Sequence, residues 1–264
     1  MLLDIEGSIF EVTVWGTAEE TIVALPGLGT DTSWYQFLAP KVAAAGFRFI
    51  AMNPRGIGGS SGTLDNLSME TMANDVADVI RALGLEKVHL IGWAFGNRIA
   101  RSTAARHPNR VASLGLLAAG GRVQPAKEAL DAMNELISSD HLAEDRLVHL
   151  ARTSLYSPSS DVLAIRKSVA AGKWPQAREA QLLASNKAEL SEWWSGGNAR
   201  MLVVQGLDDK MAVPENGYVL KEEFPERVTL VGIHDAGHML LVEQADKVAQ
   251  AIVSFLARNP IAKA

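Results

Sequence analysis

Cysteine is absent from the 264 residues. That absence removes disulfides, thiolate zinc sites, iron–sulfur clusters and a cysteine nucleophile from consideration. A large excess of one charge is absent as well: 25 Lys plus Arg stand against 30 Asp plus Glu, a formal net charge of −5. With no basic run to meet a phosphate backbone, nucleic acid is not an expected partner. No stretch of about 18 uninterrupted apolar residues occurs, so neither a transmembrane helix nor a membrane partner is expected. Met1-Leu2-Leu3-Asp4-Ile5-Glu6 carries acid where a secretory signal needs Lys or Arg, which makes a cytoplasmic protein the expectation. What remains is an ordinary globular mix, 48% hydrophobic and 21% charged, in a length suited to one large domain or one domain with an insertion.

Four short apolar runs, 21–25, 47–53, 87–92 and 111–118, read as buried strands. Between the second and third, Met69, Met72, Ala73, Val76, Val79, Ile80 and Leu83 recur at helical spacing and stop at Gly84. Strands alternating with helices predict an α/β protein with a mostly parallel sheet of about eight strands, covered on both faces. Residues 200–205 and 227–233 supply two later strands, 244–258 a closing helix, and 2–5 with 9–15 an antiparallel hairpin around Gly7. Segment 122–198 holds no strand candidate. Its apolar periodicity predicts helices at 126–137, 144–155, 162–171 and 176–190, hence a helical cap inserted into a core of 1–121 and 199–264. Gly120-Gly121 and Ser195-Gly196-Gly197 are the expected hinges.

After the third strand comes Gly92-Trp93-Ala94-Phe95-Gly96 and then a helix, the shape of the G-x-S-x-G nucleophile elbow with alanine at its centre. Downstream, Gly206-Leu207-Asp208-Asp209 places an acid after one strand, and His234-Asp235-Ala236-Gly237-His238 places a histidine after the next. Elbow, acid and histidine follow one another in the chain order of an α/β-hydrolase triad. His234 and His238 are four apart but in a loop, so no metal pair is expected. His89 and His107 read as packing and capping residues.

On these motifs the chain resembles the α/β-hydrolase superfamily over nearly its whole length, in the capped branch that includes small esterases, meta-cleavage-product hydrolases and cofactor-free haloperoxidases. The resemblance implies Asp209 as the acid, with Asp208 the alternative, and His238 as the base. Leu25-Pro26-Gly27-Leu28-Gly29 stands where that family has its oxyanion loop, which makes the backbone N–H groups of Leu28 and Phe95 the candidate donors. Asn53-Pro54-Arg55-Gly56-Ile57-Gly58-Gly59-Ser60 resembles the family's D-x-R-G-x-G-x-S loop, with Asn53 for Asp and an Arg expected to tie down the elbow. The resemblance places Trp34 and Trp93 beside the reaction centre. Trp174, Trp193, Trp194 and Met133 either line a pocket or form the core of the cap. The expected partner is a small-molecule substrate, with a homodimer left open, and no cofactor is expected.

An alanine methyl cannot attack a carbonyl, so Ala94 leaves three explanations open. A Ser-to-Ala replacement disables an otherwise complete hydrolase; a natural alanine leaves His238 and Asp209 as a general-base dyad; or the pocket binds a small ligand without chemistry.

Overall fold

The computed structural model describes residues 1–139, 141–162, 165 and 174–261. An eight-stranded sheet runs through it in the order β1-β2-β4-β3-β5-β6-β7-β8. The strands are β1 (Leu2–Ile5), β2 (Ser8–Trp15), β3 (Thr21–Leu25), β4 (Arg48–Met52), β5 (Val88–Trp93), β6 (Val111–Leu117), β7 (Arg200–Gly206) and β8 (Val228–Ile233). The hairpin β1/β2 and the pair β2/β4 are antiparallel, and every pairing from β4 to β8 is parallel. The expected α/β-hydrolase architecture is therefore the observed one.

The central strands read as unbroken apolar runs because both of their faces are buried. Along β3, Ile22 and Ala24 join one core cluster while Val23 and Leu25 join the other, as a side-chain period of two requires. One face is covered by α1 (Ala39–Ala44) and by a closing helix (Ala245–Ala257), through Val42, Val248, Ile252 and Phe255. The other is covered by α2 (Met69–Ala82) and α3 (Gly96–Arg106), through Met72, Val76, Val79, Ile80 and Ile99. Helix α2 starts where Ser68 Oγ accepts the Thr71 amide at 3.0 Å and stops before Gly84, whose φ of +70° no β-carbon-bearing residue adopts comfortably.

Between β6 and β7 the chain leaves the sheet and forms α4 (Lys127–Ser138), α5 (Glu144–Ser154) and α6 (Pro175–Lys187), with no strand among the described residues. The helix read from the sequence at 162–171 falls almost wholly outside the described residues. Trp193 and Trp194, at 4% and 3% exposure, are core residues rather than pocket lining. They stack about the buried Arg101 guanidinium at 4.6 and 5.0 Å, and burial pushes that group's pKa down to about 9. This clamp fastens the end of the helical excursion to α3. After it follow α7 (Glu215–Glu223), α8 (Leu240–Glu243) and α9, the closing helix already described.

The Asn53 loop corrects one expectation. Arg55 does not reach the elbow; it makes a bidentate pair with Asp75 on α2 at 2.6 and 2.7 Å and donates to Ser8 Oγ at 2.9 Å. Asp75 offers a planar carboxylate at the right reach, and the guanidinium fork takes it. Asn53 suits its place because its Oδ1 accepts the Thr32 amide at 2.8 Å while its Nδ2 donates to Glu11 Oε2 at 2.7 Å. An aspartate there would face a second carboxylate.

Candidate active site

Four loops leave the carboxyl ends of β3, β5, β7 and β8 and meet in the crevice where open α/β sheets bind ligands. The loop after β5 turns so sharply that a Cβ on Gly92 would collide with the Gly96 carbonyl and the Asn97 amide. One on Gly96 would collide with the carbonyl oxygens of Leu25 and Pro26. Glycine is thus required at both positions, and the close approach joins the elbow to the loop after β3. Ala94, at the apex, has φ of +50°, and its amide donates to Leu117 O at 3.0 Å. A left-handed alanine is strained, and the surrounding contacts over-determine it.

Asp209 and His238 come together. Asp209 Oδ2 lies 3.0 Å and Oδ1 3.2 Å from His238 Nδ1. Oδ1 also accepts the amides of Met211 and Ala212, each at 2.8 Å, so the fully buried carboxylate is held from the backbone side. Asp208 points elsewhere and accepts from Ser157 Oγ at 2.6 Å. The His238 side chain remains 14% exposed, while that of Asp209 is fully buried.

Trp93 is 3% exposed, and its indole N–H donates to His238 O at 2.9 Å. It braces the histidine loop rather than lining open space. The Trp34 ring lies 5.5 Å from that of Trp93, tilted by 41°, and its buried indole N–H has no hydrogen-bond partner among the described residues. Trp174 stands half-buried at the start of α6, and among the described residues no ring contact joins it to Trp34, Trp93 or His238. Leu28 is half-buried on the loop after β3, and Phe95, at 8% exposure, opens α3.

Sequence reasoning missed Glu243. Its carboxylate accepts the Gly237 and Ser157 amides, each at 2.8 Å, and the Ser160 hydroxyl, so it ties the histidine loop to the segment after α5. Burial pushes its pKa up, against those three donors. A carboxylate five residues beyond a candidate histidine, at the end of a short apolar run, was the available signal. No group of three His, Cys, Asp or Glu able to hold a metal occurs among the described residues. No described helix is long and apolar enough to cross a membrane.

Sheet order and the elbow after β5 define the α/β-hydrolase fold. The family model for the alpha/beta hydrolase fold matches residues 20–245, and the chain belongs to that family. It is 27% identical over 251 residues to a 2-hydroxy-6-oxononadienedioate/2-hydroxy-6-oxononatrienedioate hydrolase of Comamonas testosteroni, covering 89% of this chain and 85% of that one. In structure it resembles an esterase from Exiguobacterium antarcticum, with a TM-score of 0.79, 18% identity, and 96% and 97% of the two chains covered. It also resembles a serine-to-alanine mutant of a meta-cleavage product hydrolase from Pseudomonas fluorescens, with a TM-score of 0.75, 21% identity, and 96% and 95% covered.

Proposed function

We propose that this chain carries the site of a Ser-His-Asp hydrolase for a small carbonyl substrate, a carboxylic ester or an activated carbon–carbon bond, in which only the attacking oxygen is missing. The observation that carries the reading is the Asp209–His238 pair at 3.0 Å beside an elbow whose apex keeps φ of +50° although it is alanine. Ala118 after β6 shares that backbone conformation at φ of +52°, so what distinguishes Ala94 is its place between Gly92 and Gly96, next to the Trp93 indole that donates to His238 O. In the reading, Leu28 and Phe95 N–H groups bind the carbonyl oxygen, His238 takes a proton through Nε2, and Asp209 holds the imidazole and stabilises its cation. Residues 122–198 form the cap that covers the substrate. Without a serine hydroxyl, His238 has only water to activate, and turnover falls to the roughly 10³- to 10⁴-fold over the uncatalysed reaction that an oxyanion hole and binding supply.

The test is Ala94→Ser, assayed on short p-nitrophenyl esters. A gain of about 10² or more in kcat supports the reading, because the hydroxyl then meets a base and donors already in place. One observation favours a second reading: the Asp209–His238 pair is fully formed without any serine. If the pair serves as a stand-alone general base, Ala94→Ser changes little, while His238→Ala removes about 10²- to 10⁴-fold of the native chain's turnover.

A further inference from the structure

Gln181 lies in the middle of α6, outside the sheet, yet its Oε1 accepts the backbone N–H of Gly29 at 2.9 Å, across 152 residues of chain. It is 1% exposed. The face of α6 that carries it is otherwise built of small residues, Ala177, Ala184 and Ser185, all buried, which lets the helix backbone approach the core closely. The fit is tight: a Cβ on Gly29, whose φ is +61°, would stand 2.5 Å from Arg178 Cβ, and one on Gly56 would stand 3.3 Å from Ala177 Cβ. At the far end of the same face, Arg98 of α3 donates to Ser185 Oγ.

Gly29 directly follows Leu28, the candidate oxyanion donor. The peptide on the other side of Leu28 is also held, since Gly27 O accepts both the Thr30 amide at 3.3 Å and Thr30 Oγ1 at 3.0 Å. In a trans peptide the C=O of one residue and the N–H of the next point in opposite directions. Fixing Gly27 O toward Thr30 therefore turns the Leu28 N–H to the opposite side. Fixing the Gly29 N–H on Gln181 sets the following plane, so both planes that flank Leu28 are held, one from within the loop and one from α6.

We propose that Gln181 is a positioning residue for the Leu28 oxyanion donor, with Thr30 holding the other side, so that the helical excursion sets the competence of the hole. The inference rests on the hydrolase reading above. A neutral carbonyl oxygen gains little from a well-aimed donor, whereas the developing oxyanion gains much, so misaiming Leu28 lowers kcat and leaves KM nearly unchanged.

The experiment has two readouts. In the Ala94→Ser background, Gln181→Met fills the same space without the amide acceptor and is expected to lower kcat on p-nitrophenyl acetate by about 10- to 100-fold, below the 10²- to 10³-fold typical of deleting a donor outright. KM stays within about threefold. Gln181→Asn, shorter by one methylene, gives the same kcat-only loss and stands in where Gln181→Met does not fold; Thr30→Val gives a smaller loss of the same kind. In the native chain, hydrogen exchange of the Gly29 amide accelerates in Gln181→Met and stays slow in Gln181→Glu, which keeps an acceptor at the same reach. Full kcat in a folded Gln181→Met or Gln181→Asn protein that has an active Ala94→Ser background overturns the positioning role alone. So does a loss confined to KM, or an unchanged Gly29 exchange rate in Gln181→Met. If Ala94→Ser is itself inactive, the hydrolase reading has failed and the positioning role falls with it.

Discussion

Asp208 and Asp209 are adjacent carboxylates that the chain sends in different directions. Asp209 is turned inward against His238 and two backbone amides, and Asp208 outward to Ser157. Spacing alone could not separate them, because both follow β7 and neither has a periodic context; the resemblance favoured Asp209, and the geometry brings Asp209 to the ring. In the Ala94→Ser background, Asp209→Asn is expected to lower esterase kcat by roughly 10³- to 10⁴-fold, the scale at which a triad loses its imidazole orientation. Asp208→Asn leaves kcat within about threefold, since it touches the segment after α5 and not the ring. Steady-state kinetics of the two variants checks the assignment. Other single residues were less legible. Arg55 was expected at the elbow and sits on Asp75, because nothing in a linear pattern reveals which carboxylate a helix one crossover away will present. Glu243 carried no motif at all, and its importance comes only from the three donors that converge on it.

At the scale of elements, the sheet was readable because parallel strands buried on both faces leave continuous apolar runs, and α2 because its apolar stripe ends on a glycine. The runs at 47–53 and 87–92 differ from the observed β4 and β5 by a residue at either end, where apolar composition outlasts or falls short of the ladder. The elbow was legible through Gly92 and Gly96, whose spacing reflects backbone contact. Replacing either by alanine drives a Cβ into backbone atoms that cannot move aside, and each variant is expected to lose about 3 kcal/mol or more of stability. Urea unfolding of Gly92→Ala and Gly96→Ala measures it. The excursion was harder to read. Its tryptophans could be core or lining by composition, and only the buried Arg101 between them decides for core, a cation that no hydropathy pattern would place inside. The docking of α6 on the oxyanion loop was invisible for the same reason: Gln181 reads as a surface residue until its partner across 152 residues is known.

The whole molecule carries a pH dependence that originates far from the crevice. His89, on β5 and fully buried, bonds to Ser113 Oγ at 2.8 Å through Nδ1 and to Glu20 at 3.0 Å through Nε2. Glu20 in turn accepts the Ile261 amide at 3.2 Å, so the set braces β5 and β6 to the segment just after α9. With Ser113 at 1% exposure, this buried serine–histidine–carboxylate chain is closed to any substrate. Burial holds the pKa of His89 below its ordinary value of about 6.5, although Glu20 pulls the other way. The unfolded chain therefore takes up a proton that the folded chain resists. The contribution to stability is complete above about pH 6.5 and is lost as pH falls from there toward the lowered value. Thermal unfolding between about pH 7.5 and about pH 5.5 is expected to show a midpoint that drops with acid, and His89→Gln is expected to flatten that slope.

The central claim is that the site lacks nothing for nucleophilic chemistry except an oxygen at position 94. Its most direct test is covalent rather than kinetic: an alkyl fluorophosphonate, which captures a serine only when a base has activated it, is mixed with the native chain, with Ala94→Ser, and with Ala94→Ser/His238→Ala, and adducts are counted and mapped by mass spectrometry. The account predicts one adduct per chain at position 94 in the single variant, and none at that position in the other two proteins. A folded Ala94→Ser protein that stays unlabelled would contradict it.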